Sequence, residues 1–181
     1  MENESSLKTS ILVVDDNPNN LQLMESMLVK FGFDVRLAMN GQDALESVSV
    51  EPPEIILLDI HMPQMDGYEV CQKLKQQEST NQIPVIFVSA ITEEINKVKG
   101  FELGAIDYLT KPVNMLELKV RVIVHVQLAR QHRQLVEQAE ELKIFNEAMI
   151  EREMRMLELK KEVNDLSREL AKNAPYPEAD E

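Results

Sequence analysis

Three stretches of this chain run through aliphatic residues and end close to a polar one: "ILVVD" at 11–15, "IILLD" at 55–59 and "PVIFVSA" at 84–90. A strand with one wet face alternates apolar and polar residues, because successive side chains point to opposite sides. These runs do not alternate, so both faces of each strand need cover, which a parallel sheet with helices on both sides provides. The intervening segments supply the helices. In "NPNNLQLMESMLVKFG" Asn17 can cap a helix, Pro18 suits its first turn, and Gly32 can end it. Leu21, Met24, Leu28 and Phe31 then share one helical face. "FDVRLAM" reads as a strand, "NGQDALESVSV" as a short helix, and "MDGYEVCQKLKQQ" as a further helix. "TEEINKVKGFELG" follows as a helix opened by Thr92 and closed near Gly104, and "AIDYLT" as the fifth strand. In such sheets the reactive crevice lies beyond the carboxyl ends of the strands, at the topological switch point.

Those ends carry the polar residues. The first strand is expected to finish at Asp15 with Asp16 behind it, the third at Asp59, and the fourth at Ser89; the fifth leads into Lys111-Pro112. Three crowded carboxylates repel one another, and at least one stays protonated unless a cation intervenes. A hard divalent ion suits such oxygen donors, and Mg²⁺ is the natural choice, with Mn²⁺ as a substitute. An ammonium at Lys111 and a hydroxyl at Ser89 are suited to phosphoryl oxygens. A carboxylate nucleophile among a metal, an ammonium and a hydroxyl is an arrangement for accepting a phosphoryl group.

The bulk properties fit this picture and exclude others. Hydrophobic residues make up 44% of the 181, enough for a sizeable core, yet no run of about 18 apolar residues reads as a membrane span. The start, "MENESSLKTS", lacks the basic and apolar stretches of a secretory signal, which points to the cytoplasm. Residues 1–8 read as a flexible N-terminus. A lone Cys71 excludes an internal disulfide and any multi-cysteine metal site. Residues 1–125 hold 10 Lys and Arg against 19 Asp and Glu, and residues 126–181 hold 9 against 13. Nucleic acid is therefore not an expected partner, since its phosphates need clustered positive charge.

The combination "ILVVDDNPNN", "IILLDIHMPQMDGYEV", "PVIFVSA" and "GAIDYLTKP" resembles the receiver domain of two-component response regulators, in the family's order and spacing over residues 9–125. The resemblance implies a flavodoxin-like (βα)5 doubly wound parallel sheet, a fold whose ligand crevice lies at the switch point. It implies Asp59 as phosphoacceptor, Asp16 as direct metal ligand, Asp15 acting through water, and the backbone carbonyl of His61 as a further ligand. It makes Ser89 and Lys111 the contacts to the phosphoryl group, Lys111-Pro112 a cis peptide, and Tyr108 the aromatic that swings inward as Ser89 moves. His61 and Ile91 flank the path of the attacking water. The partner so implied is a histidine kinase or phosphotransfer protein.

After Pro112 the chain changes character. In "VNMLELKVRVIVHVQLAR" Val120, Val122, Val124, Val126 and Leu128 alternate, which by itself favours a strand. The absence of Gly and Pro from there to Pro175 favours a helix instead, extended from the last receiver helix over 126–172. Leu128, Leu135, Leu142, Met149, Met156, Val163 and Leu170 recur every seven residues, the spacing of a coiled-coil seam. Of the companion positions Gln131, Gln138, Phe145, Arg152, Leu159, Leu166 and Asn173, only three are apolar, so an amphipathic helix folded back on the domain is the competing reading. Residues 113–172 as one helix would reach roughly 90 Å, which predicts a homodimer rather than a lone domain. "NAPYPEADE" at 173–181 reads as a disordered tail.

The tail resembles signalling-helix linkers, especially "EREMRMLELKKEVNDLSREL". His125 and His132 raise the dimerisation helix of a kinase, but neither stands in a kinase-like phosphoacceptor motif. The expectation is a non-enzymatic phosphorylation switch. Either its output is the coiled coil itself, or the chain is a piece of a longer protein with an output domain. Two rivals come from other classes. A Mg²⁺-dependent aspartyl phosphatase of the haloacid-dehalogenase type would need an acid two residues after Asp59, where His61 stands, Asp66 being seven away. A constitutive coiled-coil assembly module would keep the helix and dispense with signalling.

Overall fold

The structure, a computed structural model, describes residues 9–90 and 97–169. Residues 1–8 and the 173–181 tail lie outside the described residues, as do Ile91, Thr92, Leu170 and Asn173. Among the described residues five strands alternate with five helices: β1 (Ser10–Val14), α1 (Pro18–Val29), β2 (Asp34–Ala38), α2 (Gly41–Val50), β3 (Ile55–Asp59), α3 (Gly67–Gln76), β4 (Val85–Ala90), α4 (Lys97–Glu102), β5 (Asp107–Lys111) and α5 (Met115–Glu169). All neighbouring strands pair in parallel, in the order β2-β1-β3-β4-β5. The order reverses at β1, so the crevice opens beside β1 and β3. This is the flavodoxin-like doubly wound sheet.

The non-alternating strands divide their side chains between two cores. Leu12, Val14, Ile56, Leu58 and Phe87 face α2 and α3, where Val48, Val70, Cys71 and Leu74 are buried. Ile11, Val13, Ile55, Leu57, Ile86 and Val88 face Leu21, Met24 and Leu28 of α1 and Leu118, Val122 and Val126 of α5. Each strand therefore reads apolar at every position although its period is still two.

Local signals set the helix ends. Asn17 accepts a hydrogen bond from the Asn19 N–H, and Pro18 occupies the first turn of α1. That helix stops at Val29, so Phe31 lies beyond it, and the chain turns through Gly32 at φ 84°. Helix α3 opens on a capping box in which Asp66 and Glu69 satisfy each other's backbone N–H groups.

The alternating valines are helical. Leu118, Val122 and Val126 fall at four-residue spacing on the sheet side, while Val120 and Val124 are exposed. Residues two apart in a helix differ by about 200°, so a short alternation sends every second valine outward in helix and strand alike.

By its internal packing the chain forms two units, one through Gln131 and one from His132. The first holds the sheet. It retains the helix past residue 125, because Val126 is buried and Arg130 bonds both carboxylate oxygens of Glu54 at 2.6 and 2.7 Å. In the second unit α5 continues as helix to Glu169, with Leu135, Leu142, Met149, Met156 and Val163 exposed. Among the described residues, no helix is long and apolar enough to cross a membrane.

Candidate functional site

The polar residues gather at the carboxyl edge. Strand β1 ends at Val14, one residue earlier than its sequence suggests, so Asp15 begins the loop; its N–H still bonds the Ala38 carbonyl at 3.2 Å, which holds it in line with the sheet. Asp15 is fully buried, and its Oδ1 accepts from the Asn17 N–H at 2.9 Å and from Asn20 Nδ2 at 3.0 Å. The same Asn20 amide reaches Oδ2 at 3.1 Å. The first turn of α1 therefore clamps this carboxylate.

Asp59 ends β3 and is 5% exposed. Its backbone is fixed by the start of α3. The Gly67 N–H donates to the Ile60 carbonyl at 2.8 Å, and a Cβ on Gly67 would lie 2.2 Å from the Asp59 carbonyl oxygen. Only glycine lets α3 approach so closely.

Lys111, at the end of β5, joins the two acids. Its Nζ lies 2.8 Å from Asp15 Oδ2 and 2.9 Å from Asp59 Oδ1. Oxygens of Asp15, Asp16 and Asp59 all lie within 4.8 Å of one another, with Asp16 exposed. Burial pushes the Asp59 carboxyl above its ordinary 3.8; contact with Lys111 opposes this, and the charges of Asp15 and Asp16 add to it. For Lys111, burial disfavours the ammonium, but hydrogen bonds to Asp15 and Asp59 outweigh it and raise its pKa. One ammonium thus leaves the three acids under-compensated. An all-oxygen donor set with excess negative charge fits a hard divalent cation such as Mg²⁺.

Ser89 is buried on β4, one residue past Val88, which registers with Asp59 on β3. The Lys111-Pro112 peptide is cis. His61 is exposed in the loop after β3. Tyr108 lies inward, 8% exposed, with its ring 5.4 Å from that of Phe87 and 5.3 Å from that of Phe101. His125 faces Asp107 at 2.9 Å, a contact Arg121 shares, away from the acidic cluster. Asn20 and Gly67, the latter noted in the sequence only as following Asp59, have no role assigned to them from sequence. Their only signals were position, in the first turns of helices that follow the two acidic strand ends.

The sequence pattern of the response regulator receiver domain matches residues 11–123. The chain belongs to that family: it carries the receiver domain of a response regulator. Its relatives include the alkaline phosphatase synthesis transcriptional regulatory protein PhoP of Bacillus subtilis, 41% identical over 116 residues, covering 64% of this chain and 48% of PhoP. The response regulator PleD of Caulobacter vibrioides is 42% identical over 116 residues, covering 64% of this chain and 26% of PleD. The chain thus spans about a quarter to a half of the length of these relatives. Among solved structures, the receiver domain of the sensor histidine kinase PA1611 from Pseudomonas aeruginosa, with magnesium coordinated in its active-site cleft, superposes with TM-score 0.62 at 30% identity. That match covers 66% of this chain and 98% of the solved one.

Proposed function

We propose that this receiver accepts a phosphoryl group on Asp59 from a histidine kinase or phosphotransfer protein in the cytoplasm, and passes the signal on by rearranging a helix-paired homodimer. The observation that carries the first half is Lys111 bridging Asp15 and Asp59 at 2.8 and 2.9 Å inside a three-carboxylate cluster. An Asp59 oxygen attacks phosphorus, the O–P bond forms, and the P–N bond to the donor imidazole breaks with its electron pair leaving on nitrogen. Lys111 turns from carboxylate to phosphoryl oxygen, and Ser89 donates its hydroxyl to another. Asp15 stays with Asn17 and Asn20 and holds the lysine end of the site. Asp16, Asp59 and the His61 carbonyl would hold Mg²⁺, with Asp15 acting through water. The ion supplies neutralisation of charge on the reacting oxygens.

For the output, Ser89 and Tyr108 form the switch. The exposed α5 residues Leu116, Val120 and Val124 of the receiver, and the exposed seam residues Leu128, Leu135, Leu142, Met149, Met156 and Val163, are the surfaces for self-association. A phosphoryl group can shift only an equilibrium between arrangements that differ in affinity for it. The acidic surface argues against nucleic acid as a direct ligand, and no membrane contact is invoked.

The test is incubation with Mg²⁺ and acetyl phosphate, read by intact mass and solution mass, with Mg²⁺ and beryllofluoride as a second arm read by solution mass alone. Wild type should gain one phosphoryl group and change its assembly, and Asp59→Ala should do neither. No phosphoryl gain in wild type overturns the acceptor assignment. Identical dimers in both proteins would favour the constitutive assembly module instead.

A further inference from the structure

Gly100 sits inside α4, where nothing in its backbone requires glycine: its φ is not in the left-handed region. Alanine is ordinarily the better helix former. The space around it gives the reason. A Cβ at position 100 would lie 1.6 Å from the Tyr108 hydroxyl oxygen, 2.7 Å from its Cζ and 3.0 Å from Phe87 Cε2. The Tyr108 ring therefore occupies the place of a side chain on α4. Other aromatic rings pack around it. Phe87 packs on the ring at a tilt and Phe101 nearly perpendicular to it, while Tyr68 packs on Phe87 at 5.1 Å and carries Lys99 over its own ring at 4.5 Å.

We infer that Gly100 is the positioning residue that admits Tyr108 to its inward place, so that any side chain at 100 drives the tyrosine out and uncouples it from the phosphorylation site. The inference rests on the reading of Tyr108 as a switch residue, and adds the element that grants the inward state. The nearest atoms to a Cβ at position 100 belong to Tyr108 and Phe87, not to the acidic cluster or Lys111. Blocking it should leave phosphoryl chemistry at Asp59 unchanged and silence only what Tyr108 reports.

Two measurements test this on the full chain. The first is a thermal double-mutant cycle of Gly100→Ala and Tyr108→Ala. With Tyr108 present, Gly100→Ala should lower the melting midpoint, against the direction of helix propensity. In the Tyr108→Ala background the same change should cost little or raise the midpoint, because only the Phe87 edge must yield. Equal costs in both backgrounds overturn the inference. The second is ¹⁹F NMR of 3-fluorotyrosine-labelled protein with Mg²⁺ and beryllofluoride, with Tyr108→Phe used to assign the resonance. Wild type should show Tyr108 in a buried environment, and Gly100→Ala in a solvent-like one before and after beryllofluoride binds, with affinity within about twofold of wild type. A buried Tyr108 resonance in Gly100→Ala overturns the inference. Failure of wild type to bind beryllofluoride would instead count against the acceptor reading of Asp59, and the thermal cycle still decides on Gly100.

Discussion

Burial, joined by the charges of Asp15 and Asp16, raises the Asp59 carboxyl above 3.8 despite Lys111. A group whose folded pKa is raised stabilises the fold fully below its unfolded pKa, and that contribution is lost as pH rises through the folded value. At pH 7 without divalent ions, Asp59→Asn should therefore melt higher than wild type. Added Mg²⁺ should raise the wild-type midpoint and move Asp59→Asn much less; calorimetry in EDTA and in Mg²⁺ checks both. Asp107 behaves oppositely. Burial works to raise it, but hydrogen bonds from His125, the Tyr108 N–H and Arg121 outweigh that and hold it below 3.8. Its contribution is present above the unfolded pKa and lost as pH falls through the folded one, so Asp107→Asn should flatten the acid limb of the urea midpoint below about pH 4. Cys71 is buried, and burial pushes its thiol up to about 11. Ellman's reagent should leave it untouched in the native protein and titrate it at once in denaturant.

At the scale of elements, the approach of α3 to Asp59 gives the sharpest expectation. Gly67→Ala places a Cβ against backbone rather than against a flexible side-chain tip, so it should cost about 2 kcal/mol, in the range of overpacked interiors. It should also slow phosphoryl gain by displacing Asp59. Denaturant midpoints and intact mass read the two effects. On α5, Val122→Asp buries a charge against the sheet and should unfold the receiver, whereas Val120→Asp, on the exposed side, should leave it folded. Most of the architecture was legible because unalternating aliphatic runs admit few interpretations. Asp15, Asp16, Asp59, Ser89 and Lys111 stood out for the same reason, as polar residues ending or following apolar strands. Gly67, Gly100 and Asn20 did not. What each one does depends on an atom brought by another segment: the Asp59 carbonyl, the Tyr108 ring, the Asp15 carboxylate. The alternating valines of α5 were ambiguous because their period says which residues oppose, not which secondary structure opposes them.

At the scale of the whole chain, α5 leaves the receiver and continues to Glu169, in a sequence without Gly or Pro between Pro112 and Pro175. Within the receiver, α5 is fixed by Leu118, Val122 and Val126 and again by Arg130, whose guanidinium grips Glu54 and reaches Thr9 at 3.1 Å. In an α-helix each added residue turns the direction of the next side chain by about 100°. Seven added residues return to within about 20° of the original bearing, while five swing it by about 140°. Seven residues inserted after Gln131 should therefore keep any phosphorylation-dependent change in assembly, and five should abolish or invert it. Insertions that keep the response should therefore recur one heptad apart, a ladder of allowed lengths that a series of inserts would trace.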